Sequence, residues 1–267
     1  VPIAESKLLQ AVSFFRLNET FTMAIKALAF DAYGTLYDVQ SVSQITEQEF
    51  PANGNLITQV WRLKQLEYTW LRTLMGKYRS FWEISEESLV FTLRAIGLEY
   101  DDAKIARIMD KYLHLDPYPD CLATLDALQG RPLSILSNGN QEILDALVKN
   151  TGVAEKLTNV ISIDSVQQFK PNESAYKLVE KYLNVVPKDT LFVSSNAFDA
   201  CAAKNFGFQV AWIERVTPSA LAEEIKASSV VGPLTIFKML RMQMENFDLE
   251  PDYRLTSLSE LPKLVLG

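Results

Sequence analysis

Histidine is nearly missing from this chain: His114 is the only one among 267 residues. Chemistry that needs imidazole at two positions is therefore excluded, and a histidine-cluster metal site with it. Cysteine is almost as scarce. Cys121 and Cys201 stand alone, with no C-x-x-C pair and no neighbouring histidine, so neither a disulfide framework nor a zinc site is indicated. A reducing compartment such as the cytoplasm fits this usage. Basic residues are in the minority, 26 Lys plus Arg against 33 Asp plus Glu, so the phosphate-neutralising surface of a nucleic-acid binder is not expected. No apolar run reaches the roughly 18 residues of a membrane-spanning helix. Leu8–Phe15 is interrupted by Gln10 and Ser13 and closed by Arg16. This does not read as an export signal, and residues 1–23 read as an N-terminal extension.

What is present suits a small-molecule enzyme. At 48% hydrophobic residues the chain can bury a sizeable core, and its length fits a core domain with a smaller lid. Lys26–Phe30 is a short apolar run ending at Asp31, after which Tyr33-Gly34-Thr35 breaks the pattern as a buried strand and tight turn would. From about Val42 to Tyr112 the pattern turns helical. Leu56, Val60, Leu63, Trp70 and Leu74 recur at helical spacing, as do Leu89, Leu93 and Ile96. After Pro117 and Pro119 strands return at Pro132–Leu136, Asn159–Ile163, Thr190–Val193 and Gln209–Ile213. Helical segments at 141–150, 172–183 and 199–206 fill the gaps. This alternation predicts an α/β fold: a Rossmann-like parallel sheet covered by helices, with an inserted helical cap. We place the core at residues 24–38 and 117–267 and the cap at 39–116.

The polar residues gather where strands stop. Asp31, Ser137, Lys170 and Ser194 each lie at or shortly beyond a strand's carboxyl end, the edge at which open parallel sheets bind ligands. A carboxylate in such a turn can be a nucleophile, a metal ligand or a helix cap. Magnesium is usually held by one or two carboxylates with further oxygen partners, but the place two residues after Asp31 is Tyr33. Ser194-Ser195-Asn196 is also neutral, with Asp199 a turn further on. A nucleophile in a metal-free site is the expectation, with no cofactor.

Four segments together, Phe30-Asp31-Ala32-Tyr33-Gly34-Thr35-Leu36, Ser137-Asn138-Gly139, Lys170-Pro171 and Ser194-Ser195-Asn196-Ala197-Phe198-Asp199, resemble the motifs of the haloacid dehalogenase superfamily. Their form is that of its L-2-haloacid dehalogenases. The run Trp61-Arg62-Leu63-Lys64-Gln65-Leu66-Glu67-Tyr68-Thr69-Trp70-Leu71-Arg72 is similar to the lid of the same group. The likeness spans about residues 24–215 and, weakly, Tyr253–Leu261.

The resemblance implies SN2 displacement of halide from a short 2-haloalkanoic acid, of the L hand with inversion, through an ester on Asp31. The chemistry of each position agrees. Thr35, Ser194 and Lys170 can orient and charge-balance a poorly solvated carboxylate nucleophile. Arg62 from the lid and Asn138 from the core can stabilise the departing halide without consuming a proton. Backbone N–H groups of Ser137-Asn138-Gly139, running into a helix near Asn140, offer a cradle for the substrate carboxylate. Asp199, partnered by Lys170 and Asn196, is the candidate for positioning the water that opens the ester, and Tyr176 matches a tyrosine of the group's site or hydrogen-bonds Asp199. Each also has a plainer reading, as a cap, a surface charge or a packing residue.

Ala32, Tyr33, Leu66, Phe81 and Phe198 are expected to line the pocket, with Leu63 where a glutamine is common and Phe198 where a tryptophan is common. The 230–247 stretch stands out as an insertion suggesting an amphipathic helix, for core or subunit packing. The apolar helix face of Trp61, Trp70 and Leu74, with the family pattern, suggests a homodimer through the cap. Two rivals remain open: a magnesium-dependent phosphatase of the same superfamily, and a non-catalytic carboxylate-binding relative.

Overall fold

The computed structural model describes residues 25–267; the extension read at 1–23 lies outside the described residues. Its strands are β1 (Ala27–Phe30), β2 (Tyr37–Asp38), β3 (Asp116–Pro117), β4 (Leu133–Ser137), β5 (Asn159–Ser162), β6 (Thr190–Ser194), β7 (Gln209–Ile213) and β8 (Tyr253–Leu255). Six of them form one sheet in the order β5-β4-β1-β6-β7-β8, and every pairing in it is parallel. β1, β4, β6 and β7 are buried throughout. Helices cover both faces of such a sheet, which is why these strands read as near-continuous apolar runs. β1 has β4 on one side and β6 on the other. The chain runs outward from β4 to β5 in one direction and from β6 through β7 to β8 in the other, so the sheet's switch point, and its crevice, fall at the carboxyl end of β1.

Between β1 and β4 the chain makes its helical excursion. β2 and β3 pair antiparallel, Tyr37 with Pro117 and Asp38 with Asp116, so the outgoing and returning strands leave the core side by side. The helices Ser43–Glu49, Gly54–Met75, Phe81–Ala95 and Asp102–Asp110 follow β2. Local chemistry sets their ends. Ser80 and Glu83 form a capping box at Phe81, and Asp101 caps the next helix, each satisfying N–H groups that have no partner within the helix.

The face of the Gly54–Met75 helix differs from the expected stripe. Its buried residues are Gly54, Ile57, Thr58, Gln59, Trp61, Arg62, Gln65, Leu66 and Thr69, whereas Leu74 is 83% exposed. Trp61 points inward, its indole N–H donating to the Ser85 carbonyl at 2.8 Å. An apolar period locates a face that packs on an apolar core; this face covers polar groups and is itself half polar. The 230–247 stretch does hold a helix, Pro233–Arg241, which rests against the cap helix. β8 and the helices Pro218–Ala227 and Leu261–Leu266 went unread in the sequence. No helix among the described residues is long and apolar enough to cross a membrane.

Candidate active site

The turn after β1 builds the site's floor. The Asp31 N–H donates to the Val193 carbonyl at 2.9 Å, and the Ala32 carbonyl accepts from the N–H groups of Leu36 and Tyr37, both at 3.0 Å. Gly34 has φ +89°, a conformation that side chains with a Cβ rarely adopt. The turn brings Thr35 back under Asp31, where its hydroxyl donates to Asp31 Oδ2 at 2.9 Å.

Two more strand ends complete the shell around this carboxylate, which is 4% exposed. Lys170 Nζ donates to Asp31 Oδ1 at 2.8 Å, and Asn196 Nδ2 donates to Oδ2 at 2.7 Å. The ammonium also donates to Asp199 Oδ2 at 2.7 Å and to the Leu136 carbonyl at 3.1 Å, so all three of its donors are used. Burial alone would depress the lysine pKa, but the carboxylates of Asp199 and Asp31 outweigh it and hold Lys170 above the ordinary value. Asp199 is fully buried. It accepts from the Tyr176 hydroxyl at 2.6 Å and from Ser194 Oγ at 3.2 Å. Its carboxyl is pushed above the usual range by burial, with the Lys170 charge acting against that. An ammonium thus fills the space between the two aspartates, and among the described residues no three His, Cys, Asp or Glu side chains gather as metal ligands. These donors do not fit a magnesium site, which wants several oxygens around one ion.

Several sequence expectations are corrected in detail. Ser194 serves Asp199 and not Asp31. The Asn196 side chain serves Asp31 and the Tyr33 carbonyl, at 2.9 Å, and only its backbone carbonyl meets Asp199, accepting that residue's N–H at 3.0 Å. The N–H cradle is partly spent: Gly139 N–H donates to Ser137 Oγ at 3.1 Å, and Gln141 N–H to Asp164 Oδ2 at 2.8 Å. The second is a donor that a helix start leaves without an internal partner, and here side chains take both first. Asn138 accepts the Lys170 N–H on its Oδ1 at 2.8 Å, which fixes the orientation of its amide.

The cap supplies the opposite wall. Arg62 is 6% exposed, and its Nη1 donates to Gln65 Oε1. The same oxygen accepts from the Tyr112 hydroxyl at 3.2 Å, while Gln65 Nε2 donates to Ser85 Oγ. Gln65 and Tyr112 were missed in the sequence; for Gln65 the available signal was its place three residues after Arg62, one turn along the same face. Tyr33 stacks on Phe81 at 5.0 Å and tilts against Tyr112 at 5.9 Å. Its hydroxyl is buried without a partner, and burial pushes its pKa well up, the Tyr112 hydroxyl adding to that. Ala32 is buried in the turn after β1 and Leu66 on the inner face of the cap helix. Phe198 meets Trp70 of the cap edge-on at 5.2 Å.

A buried carboxylate at the switch point of a parallel sheet, tied to a lysine and faced by a helical cap, defines a hydrolase core of the aspartate-nucleophile kind. The haloacid dehalogenase-like hydrolase family matches residues 25–207, and the chain belongs to it. It is 49% identical over 243 residues to an (S)-2-haloacid dehalogenase of Xanthobacter autotrophicus, covering 91% of this chain and 96% of that one. A Pseudomonas putida (S)-2-haloacid dehalogenase is 47% identical over 212 residues, covering 79% and 93%. The solved structure of the L-2-haloacid dehalogenase of X. autotrophicus with chloropropionic acid covalently bound superposes with a TM-score of 0.88 at 48% identity, covering 91% of this chain and 99% of that chain.

Proposed function

We propose that the chain hydrolyses short-chain L-2-haloalkanoic acids to 2-hydroxyalkanoic acids and halide, as an (S)-2-haloacid dehalogenase. One observation carries the reading. Asp31 is a buried carboxylate held by three donors, of which only Lys170 is charged. These donors orient it and take it out of bulk water, as a nucleophile toward carbon needs. The covalent chloropropionic acid in the X. autotrophicus structure supports the same chemistry here.

In the first step an Asp31 oxygen attacks C2 opposite the carbon–halogen bond; halide leaves with the bonding pair and an ester forms, with inversion at C2. Arg62 and Asn138 take the developing negative charge. Water then adds to the ester carbonyl of Asp31, releasing the 2-hydroxy acid and restoring the carboxylate. Asp199, set by Lys170, Tyr176 and Ser194, orients that water, while Thr35 and Asn196 hold Asp31. Ser137 supports the turn beside it. Ala32, Tyr33, Leu66, Phe81 and Phe198 form the apolar lining. The core spans 24–38 and 117–267 and the cap 39–116, with two cap faces meeting in a homodimer. Exposed Leu71, Leu74 and Met75 on the cap helix support that contact, which gives a solution mass near twice 30.2 kDa. The free, buried cysteines suit the cytoplasm.

The test is halide release from 2-chloropropionate of each hand in EDTA, with Asp31→Asn as the blank. Release from the L acid alone, and an 18O label appearing in Asp31 after one turnover in labelled water, is the expected result. Activity surviving Asp31→Asn, or phosphate release from an aryl phosphate that EDTA abolishes, would overturn it.

A further inference from the structure

The stretch after β7 carries a second arginine to the pocket. Arg241 ends the helix Pro233–Arg241, and it shares one small cavity with Arg62, Asn196, Ser195, Tyr118 and Met242. The cavity measures about 30 Å³, against the ~10–15 Å³ a single water requires. Its guanidinium lies 5.0 Å from the centre of the Trp70 ring, and its Nε is buried without a partner. Trp70 is also the ring that meets Phe198. Burial lowers the Arg241 pKa, while Glu245 and Glu67 raise it and Arg62 lowers it again.

Among the described residues neither Arg62 nor Arg241 forms an ion pair with a carboxylate; the one donates to Gln65 and the other lies over Trp70. Two like charges facing one space are unfavourable unless an anion enters between them. Room for a few waters also suits a monoatomic ion. A guanidinium is weakly hydrated and consumes no proton when it binds an anion.

We propose that Arg241 is a halide-binding residue, which takes the ion displaced beside Arg62 and holds it in this cavity on its way to solvent. The proposal rests on the dehalogenation reading above. No bond is made or broken in this step, since the ion leaves Arg62 with its charge and water replaces it. Arg241 therefore governs product release and halide inhibition, and the insertion that carries it becomes part of the pocket and not only of the packing.

Bromide quenches indole fluorescence on contact, so Trp70 reports on the ion. Bromide is titrated into the full chain at constant ionic strength, balanced with gluconate. The expected result is a saturable quench that disappears in Trp70→Phe and weakens at least 10-fold in affinity in Arg241→Gln, with the inhibition constant for bromide during turnover rising by the same factor. Arg241→Lys keeps the charge without the planar stack; it weakens binding about 3-fold and carries the test where the glutamine variant does not fold. A saturable quench unchanged in both variants overturns the proposal. So does one elicited by propionate and not by bromide, which would place the substrate carboxylate there. Failure of the underlying reading shows separately: with no halide released from 2-bromopropionate, a role in product release falls even where bromide still binds.

Discussion

Asn196 Nδ2 stands 2.7 Å from Oδ2 of Asp31 although 165 positions separate the two residues. Sheet register makes the contact. Phe30 pairs with Val193 in the parallel β1–β6 ladder, so the residues that follow the two strand ends emerge side by side. The amide is anchored a second time on the Tyr33 carbonyl, and it serves the nucleophile with a preset orientation. Replacing it, Asn196→Ala, removes a hydrogen bond to a charged group, worth about 1.5–3 kcal/mol, and lowers kcat/KM roughly 10- to 100-fold. The Thr35 and Lys170 contacts remain, so the loss falls well short of that in Asp31→Asn. Steady-state kinetics on both variants checks the order.

Lys170 is the keystone of the buried charge. Removing its ammonium in Lys170→Met leaves Asp31 and Asp199 facing each other without a counter-charge, and breaking a buried pair on one side costs about 3–5 kcal/mol. Chemical denaturation of the two proteins measures it. The folded Lys170 pKa is raised, so its stabilisation is complete below the ordinary lysine value of about 10.4 and is lost as pH climbs through the higher folded value. The stability gap between wild type and Lys170→Met stays open across neutral pH and closes only in strong alkali.

Tyr176 tunes Asp199. Its hydroxyl bond favours the ionised carboxylate, against the burial that pushes the pKa up. In Tyr176→Phe the opposing hydrogen bond is gone, so the acid limb of kcat moves to higher pH while the alkaline limb stays. A pH–rate profile of the two enzymes reads the sign directly. A purely structural loss would lower the whole profile without moving its limb.

Gly139 sits against the Tyr33 hydroxyl. A Cβ there would come within 2.8 Å of the Tyr33 hydroxyl and 2.9 Å of Leu144 Cδ2. Gly139→Ala therefore overpacks the site and costs about 1–3 kcal/mol. A fall in Tm together with a raised KM, as Tyr33 shifts on Phe81, is the expected outcome.

The strands and the polar groups that end them were legible in the chain. A strand buried on both faces has to be apolar along its length, so Phe30 before Asp31 and Val193 before Ser194 announce where the backbone reaches the crevice. Turn chemistry was legible for the same local reason, Gly34 being required by a positive φ. The cap helix was half legible. Its length showed, but its inward face did not, because Arg62 and Gln65 are buried as hydrogen-bonding partners and not for transfer out of water.

Partnership among the polar groups was decided only by tertiary structure. Ser194 and Asn196 are two residues apart, yet one donates to Asp199 and the other to Asp31. No spacing rule separates them, since a hydrogen bond distinguishes two acceptors over a few tenths of an ångström. The same holds for Arg241, whose helix looks in sequence like packing material and which reaches Arg62 only because that helix lies on the cap. Propensity and turn chemistry act within a few residues of chain and can be read there. The distances that couple Asp31 to Lys170 and Asn196, and Arg62 to Tyr112 through Gln65, exist once the strands have paired in register and the cap has settled on them.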